Sequence, residues 1–159
     1  MCSSDLIVKT EVPGLELLPS NIDLSAAEIQ LVPEVGREFA LQRALAPLLS
    51  EYDILLIDCQ PSLGLLTVNA LTASHDVIVP METEYFALRG VALLTDTIDK
   101  VMGRLNPDLR ILGVLATMYD PRTLHSREVL ETVQKAYPDK VFSTVIHRTI
   151  KFQIGRAHV

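Results

Sequence analysis

Tryptophan is absent from the sequence, aromatics make up 5% of it, and cysteine occurs only at Cys2 and Cys59. Two cysteines so far apart supply neither a disulfide framework nor a zinc-ligand spacing. The four histidines (His75, His125, His147 and His158) are just as scattered. No apolar run approaches the ~20 residues that a bilayer-spanning helix needs. No lysine follows a glycine, so the Gly-Lys-Ser/Thr core of a phosphate-cradling loop is missing. A net charge of −6 argues against a protein that coats nucleic acid. Together these absences lead to the expectation of a cytoplasmic domain with no membrane contact.

What is present is enough apolar material for one globular core: 48% of 159 residues. The charge is unevenly spread. Residues 1–100 hold five Lys/Arg against fifteen Asp/Glu, whereas residues 101–159 hold nine against five. Such asymmetry either marks a local basic face on an acidic body or is an ordinary fluctuation of a small sample. The two ends share an oddity. Cys-Ser-Ser-Asp-Leu at positions 2–6 and Ile-Gly-Arg-Ala-His at 154–158 back-translate into stretches that are reverse complements of each other and match a widely used sequencing adapter. Residues 1–6 and 153–159 are therefore expected to be non-native and are left out of the fold reasoning. Residues 7–152 are then expected to be an internal part of a longer domain.

Within that span the pattern alternates. A short apolar run at 15–19 reads as a strand, 24–32 as a helix ended by Pro33, and 38–49 as an amphipathic helix that Pro47 weakens. Asp53-Ile54-Leu55-Leu56-Ile57-Asp58 reads as a strand buried on both faces. Then follow a helix at 63–73, a strand at 77–80, a long helix at 86–105 stopping at Asn106-Pro107, a strand at 111–118, a helix at 126–137 and a strand at 141–145. Strands alternating with helices predict a layered α/β fold with a mostly parallel sheet.

In such sheets ligands gather beyond the carboxyl ends of the strands, which singles out Asp58 as a Mg²⁺-side acid; the same aspartate also reads as a cap for the next turn. The residues that follow narrow the choice. Asp58-Cys59-Gln60-Pro61-Ser62-Leu63-Gly64-Leu65-Leu66-Thr67-Val68-Asn69-Ala70-Leu71 resembles the D-x-P-P-S-L-G-x-L-T-x-N-A-L segment of the ParA/Soj partitioning ATPases, with Gln60 in place of the first proline. The resemblance continues through Glu82–Gly90, Asn106-Pro107, Gly113–Thr123 and Lys140–Phe142 to Lys151-Phe152.

The resemblance implies a three-layer P-loop NTPase-like fold truncated at both ends, with ATP and Mg²⁺ as cofactors. Asp58 would hold the Mg²⁺-bound water, and Cys59–Gly64, with Gln60 and Pro61, would sense the γ-phosphate. Thr117, Met118 and Arg148 would lie near the adenine, although His147 stands where many relatives carry proline. Arg122 and Lys151 match basic positions used for nonspecific DNA binding; on its own Arg122 is a solvated loop arginine. Arg127 could join the same face. The implied function is chromosome or plasmid segregation by an ATPase that dimerises on ATP, binds DNA, answers to a ParB-type partner and associates with the nucleoid. Because the phosphate-binding loop is missing, this polypeptide by itself is expected not to turn over ATP. A MinD-like ATPase that positions division machinery and a nucleotide-free binding module are the alternatives. Cys59 reads as a packed, unreactive thiol, Glu82 and Glu84 as solvated or capping acids as readily as an acid–base pair, and His75 as a favourable charge at a helix end.

Overall fold

The computed structural model describes residues 6–84 and 87–149. Among them the chain divides into two compact units. One is built from the segment up to Ser74 with Lys100–Pro107, the other from His75–Asp99 with Asp108 onward.

The second unit carries the sheet. Strands β3 (Asp76–Glu82), β4 (Arg110–Tyr119) and β5 (Val141–His147) run parallel in the order β3-β4-β5. β-Branched and apolar residues alternate so that Val79 and Met81 of β3 lie beside Val114 and Ala116 of β4, all at most 3% exposed. At the amino-terminal edge Arg110 bridges Asp76 at 3.0 Å. Helix α4 (Ala87–Arg104) buries Val91 and Ile98, and α5 (Leu124–Ala136) buries Val129 and Val133, each pair at helical spacing. Burying a side chain of this size stabilises the fold by about 1.5–3 kcal/mol. The β3–β4 ladder contains one irregularity: Val77 pairs with Ile111 but Ile78 with Gly113, leaving Leu112 as an extra residue. Gly113 is needed there, because a Cβ would lie 2.7 Å from the Lys140 carbonyl oxygen that bonds the Val114 amide. The expected parallel α/β pattern is thus present, with each of these elements within three residues of its expected bounds.

The first unit is built from short pieces. A two-residue antiparallel hairpin, β1 (Val8–Lys9) with β2 (Glu16–Leu17), precedes α1 (Leu24–Leu31), α2 (Ala40–Leu45) and α3 (Leu65–Ala73). The expected helix over 38–49 is split. A 3-10 turn at Arg37–Phe39 leads into α2, and Pro47 sits in a second 3-10 turn at Ala46–Leu48. Proline removes one amide donor and closes the regular ladder, which is why α2 is only six residues long. Asn69, 2% exposed, ties the pieces together. Its Oδ1 accepts from the Leu41 amide at 3.0 Å, and its Nδ2 donates to the carbonyls of Arg37 (2.9 Å) and Leu65 (3.0 Å). Asn106 similarly donates to the carbonyls of Leu71, Thr72 and Ser74, satisfying the acceptors left over at the end of α3. Both asparagines lie in stretches that carry the family resemblance, and both act here as ties of the fold.

The strand expected at Asp53–Asp58 is not formed. Residues 54–60 have no ladder partner among the described residues, and Ile54 and Leu56 are 76% and 88% exposed. An apolar run becomes a strand only where a neighbouring strand accepts its amides and carbonyls; composition alone does not supply one. Asp58 accordingly does not sit at the end of a buried strand.

Candidate functional site

The residues singled out from the sequence fall into two groups, one in each unit. In the first unit Asp58 is exposed, in the irregular segment leading to α3. Beside it Cys59 is exposed rather than packed. Lost hydration and then the Asp58 carboxylate push its thiol above its ordinary range, which disfavours the reactive thiolate. The Cys59–Gly64 loop closes on α3 in two ways. The buried Thr67 hydroxyl donates to the Ser62 carbonyl. Glu28, from α1, accepts from the Leu66 amide at 3.3 Å, at the amino terminus of α3, and from the Gln60 side chain at 3.5 Å. That carboxylate satisfies an orphan helix donor and faces the positive end of the helix dipole. Gly64 makes the approach possible, since a Cβ there would stand 2.1 Å from Glu28 Oε1. Glu28 was not identifiable from the sequence: an acid inside a helix carries no signal that it reaches another element.

In the second unit the strands are parallel, so Glu82, Tyr119 and His147 end at one edge of the sheet, with Glu82 beside Thr117 and Tyr119 beside His147. Met118 there adopts a left-handed backbone (φ 52°), a conformation that costs a non-glycine residue about 1 kcal/mol or more. Thr83, only 2% exposed, holds this stretch: its amide donates to the Thr117 carbonyl at 3.2 Å, and its hydroxyl lies 3.5 Å from the Met118 carbonyl and 3.3 Å from the Ser126 hydroxyl. In the sequence Thr83 reads only as a spacer between Glu82 and Glu84, both of which are exposed.

Beyond the same edge a cavity of about 350 Å³ is lined by Tyr119, Asp120, Pro121, Arg122, His147 and Arg148, with Thr149 at its side. The Tyr119 and His147 rings pack 5.6 Å apart, and the Arg148 amide donates to the Tyr119 carbonyl. Arg122 grips Asp120 in a two-point contact, Nε to Oδ1 at 3.0 Å and Nη2 to Oδ2 at 2.9 Å, while its own amide donates to Oδ1. These hydrogen bonds, side chain first, with the guanidinium and Arg148 charges adding to them, lower the Asp120 carboxyl to about 2 and raise the Arg122 guanidinium. Arg122 and Arg148, assigned to different tasks in the sequence reading, are thus brought to one cavity. Lys151 lies outside the described residues.

The family model AAA_31, an AAA domain, matches residues 2–111. An uncharacterised protein of Mycobacterium tuberculosis is 62% identical over 148 residues, which cover 93% of this chain and 46% of that protein. The sporulation initiation inhibitor protein Soj of Bacillus subtilis is 47% identical over 154 residues, 97% of this chain and 61% of Soj. A crystal structure from Mycobacterium smegmatis, titled cobyrinic acid a,c-diamide synthase with bound ADP and magnesium, superposes with a TM-score of 0.87 at 50% identity, over 94% of this chain and 60% of that one. The chain belongs to this AAA-domain family, among the ParA/Soj-type ATPases, and has their P-loop NTPase-like fold. It spans roughly half of the curated relatives it matches.

Proposed function

We propose that this chain is the Mg²⁺-acid and DNA-contacting portion of a ParA/Soj-type ATPase that segregates chromosomes or plasmids. The observation that carries this reading is the pair of arginines, Arg122 and Arg148, at the carboxyl edge of a parallel sheet in a chain 47% identical to Soj. At that edge open α/β sheets bind their ligands. Asp58 is the acid that would meet the metal. A single exposed carboxylate suits Mg²⁺, which keeps most of its waters and shares the rest of its coordination with phosphates. Among the described residues no three His, Cys, Asp or Glu side chains cluster to form a cage for an ion. When bound, ATP·Mg²⁺ supplies the phosphoryl group and the charge neutralisation of its transfer. This chain's part is to orient water at Asp58, to sense the γ-phosphate through the loop holding Gln60 and Pro61, and to seat the base by the Thr117–Met118 backbone and Arg148. The left-handed turn at Met118, pinned by Thr83, supports the last assignment.

Arg122, with Lys151, contacts DNA phosphates without reading sequence. ATP-driven dimerisation, stimulation by a ParB-type partner and residence on the nucleoid complete the reading; no described helix is long and apolar enough to cross a membrane. The Gly-Lys-Ser/Thr loop is missing from the sequence, so the fragment alone stays inactive in ATP turnover. The test uses the full-length protein. Arg122→Ala and Lys151→Ala should each weaken retention on random-sequence DNA and leave ATP affinity unchanged, whereas full retention would refute the DNA assignment.

A second reading is favoured by the likeness to the cobyrinic acid a,c-diamide synthase structure from Mycobacterium smegmatis. It requires ATP-dependent conversion of cobyrinic acid, and product formation by the full-length protein without any DNA retention would select it.

A further inference from the structure

We propose that Asp120 is a built-in competitor for the phosphate that Arg122 binds, so that the loop offers a guanidinium already occupied by a carboxylate. The inference rests on the DNA reading above and concerns how that contact is regulated.

A guanidinium presents one planar fork, and that fork fits a carboxylate and a phosphate equally well. In this structure the fork is taken, with contacts of 3.0 and 2.9 Å to the two Asp120 oxygens. The partners differ in freedom. Asp120 is pinned: its Oδ1 takes the Arg122 amide at 3.0 Å, and its carbonyl takes the Thr123 amide at 3.2 Å and the Thr123 hydroxyl at 3.1 Å. Pro121 between them fixes the turn. The Arg122 side chain, in contrast, is 86% exposed, against 21% for Asp120. An incoming phosphate therefore has to draw the guanidinium away from a carboxylate that stays in place. Arg148 lines the same cavity and acts on the same carboxylate, so Asp120 cancels one of the two positive charges there. A pair this exposed binds weakly enough to open. The device lowers affinity for lone phosphates and leaves the loop dependent on a dense polyanion, which suits a protein that must let go of DNA.

Asp120→Asn removes the charge and keeps an oxygen for the Arg122 amide, so the turn survives. Full-length protein saturated with ATP and Mg²⁺ is titrated with a fluorescent random-sequence duplex over a salt series. Asp120→Asn should bind roughly fivefold more tightly at low salt, the advantage shrinking as salt screens it. Arg122→Ala should bind more weakly, with the slope of log affinity against log salt reduced by about one. The double variant should match Arg122→Ala to within about twofold, because the competitor has nothing left to compete for. Unchanged or weaker binding by Asp120→Asn, or a gain that persists in the double variant, overturns the proposal while leaving the DNA reading intact. Wild-type binding by Arg122→Ala overturns the DNA reading itself, and the proposal with it.

Discussion

The two units treat the same kind of residue differently. In the sheet unit Val79, Met81, Val114 and Ala116 find neighbours on adjoining strands and are almost fully buried. In the helical unit Ile22, Ile29, Val35, Ile54 and Leu56 are all more than three-quarters exposed. Both regions are rich in aliphatics, so hydrophobicity does not separate them. What separates them is whether a partner surface is present to receive the side chains. The sheet unit closes its own ladder, β3-β4-β5. The helical unit hangs on individual polar ties, chiefly Asn69, Asn106 and Glu28.

The widest gap expected from this contrast is in amide hydrogen exchange. Amides of Val114 and Ala116 should exchange about 1,000-fold or more slowly than those of residues 54–60, since a difference of ~4 kcal/mol in local opening is ordinary between core strands and loops. Equal protection would dissolve the comparison. Next comes Gly113→Ala, which drives a methyl into the Lys140 carbonyl and should cost about 2–4 kcal/mol, read as a lower urea midpoint with near-UV signals of the sheet lost first. Asn69→Ala should cost about 2–3 kcal/mol by stranding the Leu41 amide and the Arg37 and Leu65 carbonyls. Its exchange footprint should stay in residues 37–73, and spread into β4 would show that the units do not unfold separately. Gly64→Ala should expel Glu28 and cost about 1 kcal/mol, the size of a lost helix cap, and Glu28→Ala added to it should cost little more.

The smallest effect belongs to Asp120. Its carboxyl is depressed in the folded state to about 2, so the loop's ion pair is fully present above the unfolded value near 3.8 and fades only as pH falls through about 2. A carbon-detected titration should find Asp120 near 2 in the wild type and clearly higher in Arg122→Ala, yet still below the ordinary carboxylate value, because the residue-122 amide and Arg148 remain. A wild-type midpoint near 4 would remove the two-point grip.

The difference between the units also marks what could be read in the sequence. Helices α3 to α5 and strands β3 to β5 were legible because their periodicity was satisfied by neighbours in the same chain. The run 53–58 had the composition of a buried strand but no partner for its backbone, and composition does not encode partners. The hairpin at the start was half visible: the run at 15–19 was read, whereas Val8–Lys9 was too short to show a period. Of the candidate site residues, Asp58 stood out as the acid closing an apolar run, whereas Gln60, Pro61, Thr117, Met118, Arg122 and Arg148 came from motif resemblance; the structure brings the two arginines to one cavity. Glu28 and Thr83 went unread because each acts through a contact that spacing does not reveal, and Asp120 entered only as part of the Asp-Pro-Arg-Thr loop that carries the resemblance. Asp120 had a local signal, since an aspartate followed by proline and then threonine three positions on favours a side-chain-closed turn.

Leu112 has a consequence out of proportion to its exposed position. Side chains along a strand point up and down by turns, so one supernumerary residue inverts the phase of everything after it. Were Leu112 paired residue for residue instead of set aside as an extra, Ile78 would face Leu112 and Glu82 would face Ala116 in place of Thr117, and every later side chain of β4 would change faces relative to β3. The chemistry offered at the far rim of the sheet is thus set by counting, one residue at a time, from a kink near its opposite end.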